Sequence, residues 1–156
     1  MDFKTSLIGL IILLLTCVPV IYLIINATGR EKKIKKEILQ LSQQNGIQLD
    51  NIEIIGDCII AVDGVSKKLV YSSKSNPTNG FKILNINEVQ KCRAKSIKQN
   101  NKTLDWVGLE FDANNGSVAI PFYIENSEIE YTKDPFICLQ DAKRWESALR
   151  PLLNAS

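Results

Sequence analysis

The chain contains no histidine and a single methionine, and its four cysteines never fall in a C-x-x-C pair. Without histidine, Ser-His and Cys-His dyads are excluded, as are most zinc sites, which draw on imidazole nitrogen. A G-x-x-x-x-G-K-[ST] phosphate loop and a G-x-G-x-x-G turn are missing as well. Cys17 sits in an apolar run, which leaves Cys58, Cys92 and Cys138 widely spaced in the rest. Three cysteines cannot all pair, so a disulfide framework is not expected, and reduced, buried thiols of a cytosolic domain are. The acidic stretch "ENSEIEY" (Glu125, Glu128, Glu130) lacks the ligand spacing of a calcium loop and reads as a solvated segment. No residue is singled out as catalytic, and neither a cofactor nor a metal is implied.

Charge is absent from Thr5 to Gly29. The run "LIGLIILLLTCVPVIYLII" reaches the roughly 20 apolar residues that cross a bilayer as a helix. The expected span is about residues 6–26, within an anchor covering 1–29. Pro19 is tolerated in such a helix, and Tyr22 lies toward its C-terminal end, where an aromatic suits the interface. A cleaved secretory signal carries an apolar core of only about 7–15 residues after a positive leader. Here "MDFKTS" has one Lys against one Asp. "LLTC", ending at Cys17, resembles a lipoprotein signal only faintly, because the greasy run continues beyond it.

The apolar run then stops, and "REKKIKKEILQLSQQNG" begins. Arg30, Lys32, Lys33, Lys35 and Lys36 stand against Glu31 and Glu37, which leaves the remainder of this +2 chain at −1. The basic character is confined to this collar, so a nucleic-acid-binding face on the domain is not expected. The positive-inside rule places the N-terminus outside and everything after the collar in the cytoplasm. Each basic residue beside anionic headgroups contributes about 1 kcal/mol of attraction. Ile34, Ile38 and Leu41 mark an apolar stripe on a helix over 30–46, ended by Asn45-Gly46. Such a stripe suits the bilayer surface, the following domain or a second copy of the chain.

From residue 49 to 153 the period is that of strands. "NIEII" and "CIIAV" flank Gly56-Asp57 as a hairpin, "KLVYSS" comes next, and "KSNPTNG" is a loop. "FKILNI" and "VQKCRAKSI" read as successive strands. "LDWVGLEF" points Val107, Leu109 and Phe111 one way, and "SVAIPFYI" does the same for Val118, Ile120, Phe122 and Ile124. Asn115-Gly116 is available for the turn between them, and Pro121 implies an irregularity. Asp134-Pro135 opens a helix whose buried stripe is Cys138, Ala142, Trp145 and Leu149. Trp106 points away from the Val107 side and is the candidate partner-contact residue.

The expected fold is thus one transmembrane helix followed by an α+β domain. In that domain a curved antiparallel sheet or partly open barrel is closed by the C-terminal amphipathic helix. A meander ending in one helix that carries Trp145 resembles the layout of pleckstrin-homology-like (PH-like) domains. The segments "KKLVYSS", "KILNINEVQKC", "LEF", "IPFY" and "AKRWESAL", between about Asn51 and Leu149, also resemble a family of small membrane-anchored proteins of Bacteroidota. That resemblance implies a bacterial PH-like binding or scaffold domain with no enzymatic residues. The basic hairpin with which eukaryotic PH domains hold phosphoinositides has no counterpart, since "NIEIIGDCIIAV" holds no Lys or Arg. The functional expectation is a single-pass inner-membrane protein whose cytoplasmic domain contacts a protein partner. A structural subunit of a larger membrane complex and an envelope-related enzyme of unfamiliar type are the alternatives.

Overall fold

A computed structural model describes residues 3–128 and 133–153, with side chains from Ser6 onward. Two compact units divide the chain, Met1–Lys36 and Glu37–Ser156. Helix α1 runs unbroken from Phe3 to Gln44 and contains Pro19.

In the first unit the apolar segment of α1 is exposed all round, from Leu7 at 49% to Leu15 at 71% and Ile25 at 65%. It is the one helix among the described residues long and apolar enough to cross a membrane. Two threonine hydroxyls on it bond back to the helix: Thr16 Oγ1 donates to Leu13 O at 2.9 Å, and Thr28 Oγ1 to Ile24 O at 2.7 Å. Such back-bonding leaves a threonine without an unmet donor in a hydrocarbon solvent.

The second unit begins with the last turns of α1. Ile38 and Ser42 are buried, whereas Leu41 is half-buried, so the buried positions recur at i and i+4 rather than at i and i+3. The helix ends in a Schellman motif: Ile47 N donates to Ser42 O at 2.9 Å and Gly46 N to Gln43 O at 3.0 Å. Gly46 takes φ +70°, a conformation costly for any residue with a Cβ.

Strands β1 (Asn51–Ile55), β2 (Cys58–Asp63), β3 (Lys68–Ser73) and β4 (Lys82–Asn85) form one antiparallel sheet in that order. The β1–β2 turn has Gly56 at φ +60°. β2 is buried on both faces. Cys58 and Ile60 join the main core, while Ile59 and Ala61 point the other way and are buried with Val70. At the end of β2, Asp63 accepts from Gln48 N (3.1 Å), Val65 N (3.0 Å), Ser66 N (3.1 Å) and Ser66 Oγ (2.6 Å). These bonds tie the chain leaving α1 to the sheet. They also hold the Asp63 carboxyl down at about 2, the Ser66 hydroxyl being the main cause.

A short 3-10 turn, Ile86–Glu88, carries the chain to the second sheet, β5 (Val89–Lys98), β6 (Leu104–Ala113) and β7 (Gly116–Ile124). "FKILNI" and "VQKCRAKSI" are consecutive, therefore, but lie in different sheets. No strand ladder joins the two sheets among the described residues, and no closed barrel forms. The β6–β7 turn uses Asn114 and Asn115, with Ala113 opposite Gly116, so glycine opens β7 at φ +125° instead of sitting in the turn.

Val107, Leu109, Phe111, Ile120 and Phe122 are buried, as their alternation predicts. Ile124 is a correction. The register slips between Val107–Tyr123 and Gly108–Pro121, which leaves Phe122 as the extra residue of a bulge and pairs Ile124 with Trp106 on the outer face. Pro121 lacks the N–H that a regular ladder needs, and the parity of the strand changes just beyond it.

Helix α2 (Pro135–Leu149) begins as its sequence predicts, with the Asp134 side chain accepting from Phe136 N at 2.8 Å. Cys138, Ala142, Trp145 and Leu149 enter a core shared by both sheets. Two polar latches fix the helix. Arg144 grips Glu53 of β1 with both nitrogens (2.9 and 2.6 Å), and Trp145 Nε1 adds a bond of 3.2 Å to the same carboxylate. Glu146 accepts from Ala94 N on the open edge of β5 at 2.8 Å. One helix thus binds one sheet through Glu53 and the other through Glu146.

Candidate functional site

The outer face of the three-stranded sheet is built by cross-strand register. Ile97 of β5, Trp106 of β6 and Ile124 of β7 are direct neighbours and form one apolar row. Ile97 is 49% exposed and Ile124 37%, while Trp106 is half-buried. The Trp106 ring rests on Gly108: a Cβ there would meet the ring at 2.8 Å and the Ile120 carbonyl oxygen at 2.1 Å. Glycine is required at 108 by that close approach of β7 and by the seat of the indole. Further along the face the charges neutralise one another. Glu110 accepts from Lys95 (2.7 Å) and Arg93 (2.9 Å), and both bonds hold its carboxyl below the usual range.

The row ends at the β7 edge, where Ile124 and Pro121 also form one wall of a cleft of about 360 Å³. Tyr71, Ser73 and Lys82 of the first sheet stand opposite, with Asp57 at the β1–β2 turn and Cys58 beneath. Asp57 braces the mouth. It accepts from Ser73 Oγ (2.5 Å), Ser75 N (3.0 Å) and Ser75 Oγ (2.7 Å), pinning the β3–β4 loop to the β1–β2 turn. Gly80 is required in that loop, since a Cβ would lie 2.8 Å from Asn76 O. Burial pushes the Cys58 thiol far up, with Asp57 adding to the effect, and burial also raises Tyr71. The floor therefore stays neutral at physiological pH.

The collar residues Arg30, Lys32, Lys33 and Lys36 are exposed and Lys35 is half-buried, all on α1 in the first unit. The collar and Trp106 thus belong to different units. Cys58, Cys92 and Cys138 are unpaired and buried. Burial pushes Cys92 up to about 12 and raises Cys138, so these thiols stay protonated and unreactive. In the acidic stretch, Tyr123 donates to Glu125, and that bond lifts the phenol to about 12. Glu130 lies outside the described residues. No cluster of potential metal ligands occurs among those described.

No family model, curated protein or solved structure matches this chain.

The site therefore rests on geometry alone. Sequence reasoning singled out Trp106 but missed Ile97, Ile124, Lys82 and the cleft. The usable signal was Pro121, since a parity change after a strand proline moves Ile124 to the Trp106 face. Lys82 carried no such signal, because its role depends on β7 arriving from the other sheet.

Proposed function

We propose that this chain is a single-pass protein of a bacterial inner membrane that presents a PH-like binding or scaffold domain to the cytoplasm. The observation that carries the reading is helix α1. Its apolar segment has no protein cover, and a cluster of basic residues comes within about two turns of helix beyond it. Lipid is the cover such a surface needs, and the collar then lies among anionic headgroups on the cytoplasmic side. Support for a PH-like domain comes from the connectivity, a four-stranded and a three-stranded meander followed by one helix that plugs the core with Trp145. The domain acts by contact: the Trp106 row and the adjoining cleft receive a protein partner.

Paired C-terminal reporters, one active only in the cytoplasm and one only outside it, test the orientation. Cytoplasmic signal is expected. Replacing the five collar residues with glutamine while adding lysines before Ser6 should invert it. An external signal from the unaltered chain overturns the reading.

A further inference from the structure

We propose that the cleft between the two sheets takes the apolar C-terminal residue of a partner polypeptide, with Lys82 holding the terminal carboxylate. This rests on the reading of the domain as a binding module and names the chemistry it recognises.

Four observations converge. First, the walls are apolar: Tyr71 on one side and Ile120, Pro121 and Ile124 on the other. Second, Lys82 is the cross-strand neighbour of Tyr71, so its side chain rises on the same face and at the mouth of the cleft. It is exposed and forms no ion pair among the described residues. Asp57, the one acid lining the cleft among the described residues, has both carboxylate oxygens engaged by Ser73 and Ser75 and forms no ion pair with Lys82. Lys82 is therefore the charged group at the mouth left free to meet a carboxylate above the apolar walls. Third, the volume, about 360 Å³, sits at the small end of ligand pockets and suits one or two side chains.

The fourth observation decides how a polypeptide enters. The β7 edge beside the cleft resists an added strand, because it carries Pro121 and a bulge. A chain end needs no ladder. Its last side chain fills the cleft, its carboxylate meets Lys82, and the residues before it cross the Ile97–Trp106–Ile124 row, which joins the cleft at Ile124. That landing strip favours a polypeptide end over a small free acid.

The test uses the full chain in lipid nanodiscs and a pool of fluorescein-labelled hexapeptides, randomised except for a C-terminal leucine, valine or phenylalanine. Each pool is made as the free acid and as the amide. Binding is read by fluorescence anisotropy. The free acids should bind at least about tenfold more tightly than the amides, and Lys82→Gln should abolish that difference. Trp106→Ala should weaken both forms by a similar factor. Near-UV circular dichroism should show both variants folded. Equal binding of acid and amide, or an acid preference that survives Lys82→Gln, overturns the carboxylate pocket and leaves the binding module standing. Competition by hexanoate as effective as that by the peptides overturns it in favour of a small alkyl carboxylate. No binding by any pool also overturns it, while the topology reporters decide the module's placement independently.

Discussion

Helix α1 leaves Leu15 71% and Ile25 65% exposed, whereas helix α2 buries Cys138, Ala142, Trp145 and Leu149 to 5% exposure or less. Both helices are rich in apolar residues, and the difference lies in how those residues are distributed. α1 is apolar on every side between Leu7 and Ile25, so no single protein surface could cover it. α2 confines its burial to one stripe at helical spacing and spends its other faces on Asp141, Arg144, Glu146 and solvent. The first pattern asks for lipid, the second for a sheet. Polar groups divide in the same way. In α1 the Thr16 and Thr28 hydroxyls bond to the helix itself, while in α2 the polar side chains reach across to Glu53 and Ala94.

The same kind of substitution in each helix separates these roles. Ala142→Arg forces a charge into the shared core and should cost at least about 5 kcal/mol, enough to unfold a marginally stable domain. Loss of the near-UV signal of Trp145 and rapid trypsin cleavage of the sheet unit are expected, with membrane fractionation unchanged. Leu14→Arg should do the reverse. A charge at the centre of the span opposes insertion by about 3 kcal/mol, so more of the protein should be released by alkaline extraction while the domain's near-UV spectrum stays intact. If Leu14→Arg instead melted the sheet unit, the apolar segment of α1 would be a core helix, and the contrast would collapse.

Smaller effects probe the latches. Glu53→Gln removes the charge that Arg144 and Trp145 share and should destabilise the sheet unit by about 2 kcal/mol. A double-mutant cycle with Arg144→Met, read by urea denaturation, isolates the coupling. Acid titration gives the gentlest test. The Asp63 carboxyl falls from its ordinary 3.8 to about 2 on folding. Its contribution is therefore fully present above about pH 4 and lost as pH drops through 2. Glu53 is also held below its usual range, chiefly by Arg144, and acts in the same direction. Asp63→Asn should flatten the acid limb of the stability curve, and an unchanged limb would show that other carboxylates dominate it.

Much of the local structure was legible because its causes are local. The Asn45-Gly46 helix stop, the Gly56-Asp57 hairpin, the Asp134 cap and the α2 stripe each depend on residues within a few positions of one another. Burial of Val107, Leu109 and Phe111 came from simple alternation. Alternation failed at Ile124, where the bulge after Pro121 shifts the strand by one residue and turns every later side chain to the other face. That β4 and β5, rightly read as successive strands, lie in different sheets was not legible for a related reason. Adjacency in sequence does not reveal that the Ile86–Glu88 turn redirects the chain into a second sheet.

By itself, the sequence determined an apolar helix long enough to span a bilayer, the basic collar that ends its greasy run, and the strand and helix periods of the domain after it. Those properties are set by composition and spacing along the chain. Only the tertiary structure decided that Glu53 meets Arg144 across 91 positions and that Glu146 covers the edge of β5. The same holds for the cleft, where Lys82 and Tyr71 face Ile120 and Ile124 from different sheets. Such contacts depend on how two sheets, which share no ladder among the described residues, are brought together by one helix, and no periodicity within either sheet encodes that closure.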